Sequence, residues 1–509
     1  RGVNPDNVRG GRLVAGGDLG AGADVLDVGS TLDTGGGVFA LGDGDDNFVV
    51  HDGTVVIGTI DGGAGLDTRT YAINISADLG SLVNFEGVTK TGAGVLNITG
   101  PGATALQDVQ VLEGTLDVHA GASIVATAGS ALNAIVASGA TLNVGGEFGC
   151  GSGADRLDVS GTVSGSGNVN LCGGDDTLVL NDGANLAGLA NAIDGDAGAD
   201  RVVLNNAGGL VLDAGRLANF EVLQKDNTGE ATLAPGAHSF IGGTVLNGGT
   251  LTVAGALETP TVAMGDNTVL DVGNLLSAGG GAAGVVTGSS GANTVNVRQG
   301  ALLLASGGLG DGDDVLNVAG TLNTAGGALS LGGGSDTLTI GDGTGVVGTV
   351  DGGAGLDVFN PDIDTSADLG ALNNFEVLTK TGSGVLNVNG PAQSDFASVN
   401  VLAGTLNIGP AGGIGGVQDA TVAGGATLNL GGSLQFTSGD DTLTVAGTVA
   451  GGGTLDLGDG NDTFTIQDGA NLTALTAPVS GGAGTDVFVA ALAGSATLGG
   501  AVNFEKPTN

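Results

Sequence analysis

The sequence predicts an all-β fold, a right-handed parallel β-helix (β-solenoid) of about 25 turns. Three observations lead there. Glycine supplies 106 of 509 residues, about three times its usual share. Short strands with alternating apolar and polar residues recur along the whole chain. Those strands are also nearly identical to one another.

Glycine at this level raises two other possibilities, and both fail. There are only 9 prolines and no strict Gly-X-Y period, so the chain is not collagen-like. Hydrophobic residues make up 41% of the sequence, enough to bury a core, so disorder is excluded too. A length of 509 residues would ordinarily mean several domains. A repeat architecture escapes that expectation because its core grows with length, and the chain reads as one solenoid over residues 1–509.

The strand unit is about four residues long with glycine after it. Val25-Leu-Asp-Val-Gly, Val95-Leu-Asn-Ile-Thr-Gly, Thr141-Leu-Asn-Val-Gly, Thr250-Leu-Thr-Val-Ala-Gly, Val315-Leu-Asn-Val-Ala-Gly and Thr427-Leu-Asn-Leu-Gly are examples. Apolar positions alternate with Asp, Asn and Thr, so one face points inward and the other meets solvent. Glycine and β-branched residues disfavour helix throughout. Sameness separates a solenoid from a sandwich, since in-register parallel stacking places like residues above like. At a rise of about 4.8 Å and roughly twenty residues per turn, the rod would exceed about 100 Å.

Charge narrows the functions. The net charge is −41 with twelve basic residues, which form no patch in the sequence. Nucleic-acid binding and an anionic lipid surface are thereby disfavoured. Self-association must work against like-charge repulsion, which salt or a divalent cation would relieve. No apolar stretch is long enough for a spanning helix. The chain opens at Arg1 without a signal peptide and reads as a segment of a longer protein. Cys150 and Cys172 are 22 positions apart, which places them on neighbouring turns as a disulfide. A disulfide implies an oxidising, extracytoplasmic location.

A longer repeat overlies the strands. Asn-Phe-Glu occurs at Phe85-Glu86, Phe220-Glu221, Phe375-Glu376 and Phe504-Glu505, at intervals of 135, 155 and 129. Before each lies an Asp-rich segment and an Asp-Gly-Gly-Ala-Gly-like turn: Asp61 to Gly65, Asp194 to Gly198, Asp351 to Gly355 and Gly481 to Gly484. All four lysines belong to the signature, as Lys90, Lys225, Lys380 and Lys506. The super-repeats span roughly 17–120, 149–254, 308–409 and 438–509, the last cut short. The phenylalanines read as interior plugs. Glu86 and Lys90 are four positions apart, too far for contact along a straight strand, but they could pair across a turn.

In the first and third copies, Lys90-Thr-Gly-Ala-Gly-Val-Leu-Asn-Ile and Lys380-Thr-Gly-Ser-Gly-Val-Leu-Asn-Val are followed by Val111-Leu-Glu-Gly-Thr-Leu and Val401-Leu-Ala-Gly-Thr-Leu. Phe-Glu-x-x-x-Lys-x-Gly-x-Gly-x-Leu, then Val-x-x-Gly-Thr-Leu, resembles the passenger-associated repeat of type V autotransporters. It covers about a third of the chain directly. The second copy departs at Asp226-Asn-Thr-Gly-Glu. The resemblance implies a self-associating, adhesin-like passenger, exported through the periplasm and a C-terminal outer-membrane barrel to the bacterial surface. Its partners would be like chains on neighbouring cells, giving aggregation and biofilm, or a host ligand.

Two chemistries remain. Asp43, Asp45 and Asp46, then Asp311, Asp313 and Asp314, then Asp459, Asn461 and Asp462, sit in Gly-Asp-Gly-Asp-Asp-like runs similar to the calcium-binding nonapeptides of RTX proteins. Such sites need tandem copies and these are isolated, so plain turn formation competes with weak calcium binding. No other cofactor is implied. A glycan-active β-helix would need clustered basic residues. The arginines are scattered, and His51, His119 and His238 lie far apart, so the expectation is a non-enzyme. The alternatives to an adhesin are a structural stalk or a calcium-stiffened RTX-like scaffold.

Overall fold

A computed structural model describes residues 5–81, 83–127, 129–213, 215–368, 371–498 and 502–504, without the side chains of 5–7, 150, 391–395 and 502–503. Every regular element among them is a β-strand, and the strands stack as the parallel coils of a β-solenoid of about 22 turns. Among the described residues, no helix is long and apolar enough to cross a membrane. The turn count is slightly below 25 because the coil is longer than twenty residues. Successive in-register partners lie 19 residues apart at Thr68↔Gly87 and 25 apart at Asp108↔Asn133. The extra residues sit in turns and leave the strands in phase.

The chain divides into two compact units, 1–242 and 243–509. In the first, a coil is three short strands joined by turns, as in Asp108–Val111, Thr115–Val118 and Ala122–Ala126. Each strand pairs in parallel with its counterpart one coil on, for example Thr115–Val118 with Thr141–Val144. Every second side chain points inward, so Leu96, Leu116 and Leu142 stack in one fully buried file. Burying these aliphatic side chains contributes about 1.5–3 kcal/mol for each. The second unit is built alike: Val385–Val388, Thr405–Ile408 and Thr427–Leu430 pair in register, with Leu386, Leu406 and Leu428 inside.

One inward file of the first unit is interrupted. Phe48, Arg69 and Val88 stack in register, which puts an arginine inside the core. Arg69 is 7% exposed, with its guanidinium 5.0 Å from the Phe48 ring centroid and 5.1 Å from that of Tyr71. It donates to Ser81 O at 3.3 Å, while its Nε has no partner. Burial depresses its pKa. Phe359 occupies the matching place in the second unit, two residues after Asp357 as Arg69 is after Asp67. Replacing a buried charge by a well-packed apolar group commonly stabilises. Arg69→Phe is therefore expected to raise stability by about 1–3 kcal/mol in chemical denaturation; a lowered midpoint would show that the ring stacking outweighs the desolvation of the charge.

Candidate functional site

Each super-repeat contains a motif that recurs once per coil, Gly-x-Gly-x-Asp. In the first unit it reads Gly20 to Asp24, Gly42 to Asp46 and Gly63 to Asp67, and the next coil brings Asn84-Phe85-Glu86. The second copy runs through Asp155, Asp176 and Asp200 to Glu221, with Cys172 and Asp196 at first-glycine positions. In the second unit the third copy runs through Asp314, Asp336 and Asp357 to Glu376. A fourth set contains Asp441, Asp462 and Asp486.

Each of these aspartates immediately precedes a strand and shares the parity of its inward residues, so its side chain turns into the wall. All are at most 2% exposed. Past the first member of a row, the carboxylate accepts the backbone N–H of the residue one coil earlier, whereas Asp441, which opens the fourth set, accepts from the Thr437 hydroxyl of its own coil. Asp46 Oδ1 accepts from Asp24 N at 2.6 Å and Asp67 Oδ1 from Asp46 N at 2.8 Å, and Glu86 Oε2 closes the row on Asp67 N at 3.0 Å. The same sequence links Asp155, Asp176, Asp200 and Glu221 at 2.7–2.8 Å. It also links Asp314, Asp336, Asp357 and Glu376 at 2.7–2.8 Å. The signature glutamate is thus the terminal cap of an aspartate ladder. The adjoining asparagine makes the turn: Asn84, Asn219 and Asn374 have φ of 51°, 53° and 54°, a left-handed conformation asparagine tolerates. Their Nδ2 groups donate to Asp61, Asp194 and Asp351 at 2.7–2.8 Å.

The lysines have a different duty. Lys90, Lys225 and Lys380 are fully buried, at inward positions among Tyr71, Val111, Leu204 and Val401. Lys90 Nζ donates to the carbonyls of Thr91 at 2.7 Å, Gly92 at 2.6 Å, Glu113 at 3.3 Å and Ile73 at 3.4 Å. Lys380 repeats this on Ile363, Thr381 and Gly382, and Lys225 on Asp226 and Asn227. Burial lowers all three pKa values. Glu86 and Lys90, whose pairing the sequence left open, are engaged separately. In the deviating second copy Asn206 stands where Ile73 and Ile363 do, and its Nδ2 takes two further carbonyls, those of Gly208 and Glu230.

Phe85, Phe220 and Phe375 are buried plugs; Phe504 is half-buried, its ring 5.8 Å from that of Phe464. Glu505 and Lys506 lie outside the described residues. Cys172 is disulfide-bonded and Gly151 pairs with it in register on the neighbouring coil; the side chain of Cys150 lies outside the described residues.

The Asp-Asp runs divide between two environments. Asp46, Asp314 and Asp462 belong to the buried ladders, while Asp45, Asp313 and Asn461 are exposed. These outer residues cap amides in the opposite direction, from Leu66, Ser335 and Thr485 of the following coil. Asp43, the last residue of the strand Thr31–Asp43, is exposed, as are Asp311 and Asp459, which bridge to Gly333 and Ala483 of the next coil. Among the described residues, no three acidic, histidine or cysteine side chains are grouped to hold a metal ion. The stacked aspartates were the part of the site missed in the sequence. Their signal was the spacing of Gly-x-Gly-x-Asp by one coil, hidden among other Asp-Gly turns.

Outward-facing residues form a second kind of ladder. In the second unit Thr405, Thr427 and Thr448 stack in register beside Asn387, Asn407 and Asn429. Asn407 Nδ2 donates to Asn387 Oδ1 at 2.9 Å and Asn429 Nδ2 to Asn407 Oδ1 at 2.7 Å. The first unit carries Thr115, Thr141 and Thr162 beside Asp117, Asn143 and Ser164. Exposed arginines are held by acidic or amide partners: Arg9, Arg156 and Arg298 pair with Asp27, Asp158 and Asp271, and Arg201 bonds to Gln224. No protein-family model, curated protein or solved structure matches this chain.

Proposed function

We propose that the chain is the passenger of an autotransporter-like bacterial surface protein. It acts without catalysis, as an adhesin that joins cells to each other or to a host surface through lateral polar contacts. The observation that carries this reading is the paired threonine and asparagine file of the second unit. Val385, Asn387, Thr405, Asn407, Thr427, Asn429, Thr448 and Ala450 are all uncharged, in a protein of net charge −41. Hydrogen bonds among Asn387, Asn407 and Asn429 hold these three side chains in place before any partner arrives, so little of their side-chain entropy is lost on contact. Many such weak contacts add by avidity. The disulfide at Cys172 suits an oxidising location outside the cytoplasm.

The test is clumping of cells that display the chain. Clumping is expected to strengthen with salt or calcium, as screening relieves repulsion between acidic surfaces. Asn407→Asp with Asn429→Asp places like charges on the contact face and is expected to reduce clumping roughly tenfold while circular dichroism stays unchanged. Clumping that weakens with salt, or that ignores the added charges, would count against these faces as the adhesive surface.

A further inference from the structure

We propose that the buried aspartate ladders are proton-binding sites, so that each coil stack takes up protons as it folds and is held more firmly in mildly acid than in neutral medium. The geometry carries this. In Asp67, Asp176, Asp200, Asp314, Asp336 and Asp357, Oδ1 accepts one backbone N–H, but Oδ2 is buried without a partner. An ionised carboxylate offers about four acceptor sites, and one hydrogen bond leaves most of its charge uncompensated away from water. A carboxylic acid keeps the Oδ1 acceptor and loses the charge.

The surroundings point the same way, because the groups facing the ladders are themselves acidic. Asp67 faces Asp46, Glu86 and Asp45, and Asp176 faces Asp155, Asp200 and Asp175. Asp314 faces Asp336, Asp313 and Asp311; Asp336 faces Asp357 and Asp313. Asp462 faces Asp441, Asp486 and Asp440. The nearby lysine ammonium groups are engaged by carbonyls elsewhere on the coil. Burial first, and then this like charge, pushes Asp67, Asp336 and Asp462 up to about 6 and Asp176 and Asp314 up to about 7.

The sign follows directly. These folded values lie above the ordinary 3.8, so the folded chain holds more protons than the unfolded one at intermediate pH. The contribution to stability is fully present below about pH 4, falls as pH rises through about 6 to 7, and is absent above about pH 8. Overall negative charge gives a trend of the same sign, so the test must separate the two.

Proton uptake on refolding of the whole chain can be measured at about pH 6 by calorimetry in buffers of different ionisation enthalpy. Uptake of roughly three protons per chain is expected from these five groups. Asp176→Asn with Asp314→Asn keeps the amide acceptor and is expected to reduce the uptake by about two protons and to flatten the fall in denaturation midpoint between about pH 5 and pH 8, at low and at high salt. Infrared spectroscopy of the folded wild type at about pH 6 should show protonated carboxyl groups that are lost on unfolding, and this decides the matter should the variant fail to fold. Uptake below about one proton, unchanged uptake in the folded variant, or a folded wild type without protonated carboxyl signal would overturn the proposal.

Discussion

Gly355→Ala is expected to destabilise the second unit by about 4 kcal/mol or more, an exceptional loss for one methyl group. Two effects act together. Gly355 has φ of +145°, a conformation open to glycine and strained for any side chain. A Cβ there would also fall on the carbonyl of the residue one coil below, 2.7 Å from Gly334 C and closer still to its oxygen. Gly334 in turn stands over Gly312 in the same way, so the obstacle is stacked backbone that cannot swing aside. Gly326→Ala supplies the control. Its φ is +84°, but nothing lies within 4 Å of the added carbon, so conformational strain of about 1 kcal/mol is the whole expected effect. Denaturation midpoints of the two variants decide it: equal losses would mean that coil-to-coil contact at the glycine file is not what limits stability.

Lys380→Met is expected to cost about 3 kcal/mol. Methionine fills much of the same volume, so what is lost is the ammonium group and its bonds to the carbonyls of Ile363, Thr381 and Gly382. Hydrogen bonds from a charged donor are worth about 1.5–3 kcal/mol each, and orphaned buried acceptors add their desolvation penalty. Against this stands relief from burying a cation, which lowers the net figure without reversing it. Amide exchange should accelerate over Thr381 to Val385, where the lysine ties the turn together. A variant as stable as the wild type would show that the charge costs as much as its bonds supply.

Both predictions fall on residues whose role was only half visible beforehand. The alternating pattern of Thr427-Leu-Asn-Leu led directly to an inward Leu428 and an outward Asn429, because a strand has a period of two. The Phe85 and Phe375 plugs followed from the scarcity of aromatic residues. Lys90 and Lys380 did not follow, since a lysine inside a coil is explained only by the carbonyls of the turn that curls over it. Asp45 and Asp46 are neighbours of one type with opposite fates, one exposed and one buried. Composition cannot separate them, because the parity depends on where the turn ends and the strand begins.

The sequence by itself determined the coil: short strands, glycine turns, an aliphatic interior and a super-repeat closed by Asn-Phe-Glu. These are properties of local pattern, and local pattern sets backbone direction and the inward or outward sense of each side chain. Only the tertiary structure decided which residues meet across coils. Glu86 caps Asp67, 19 positions away, and Asp67 caps Asp46, 21 positions away. Coil length varies from turn to turn, so the partner of a given aspartate is set by the stacking of backbone on backbone, and no fixed spacing in the chain specifies it.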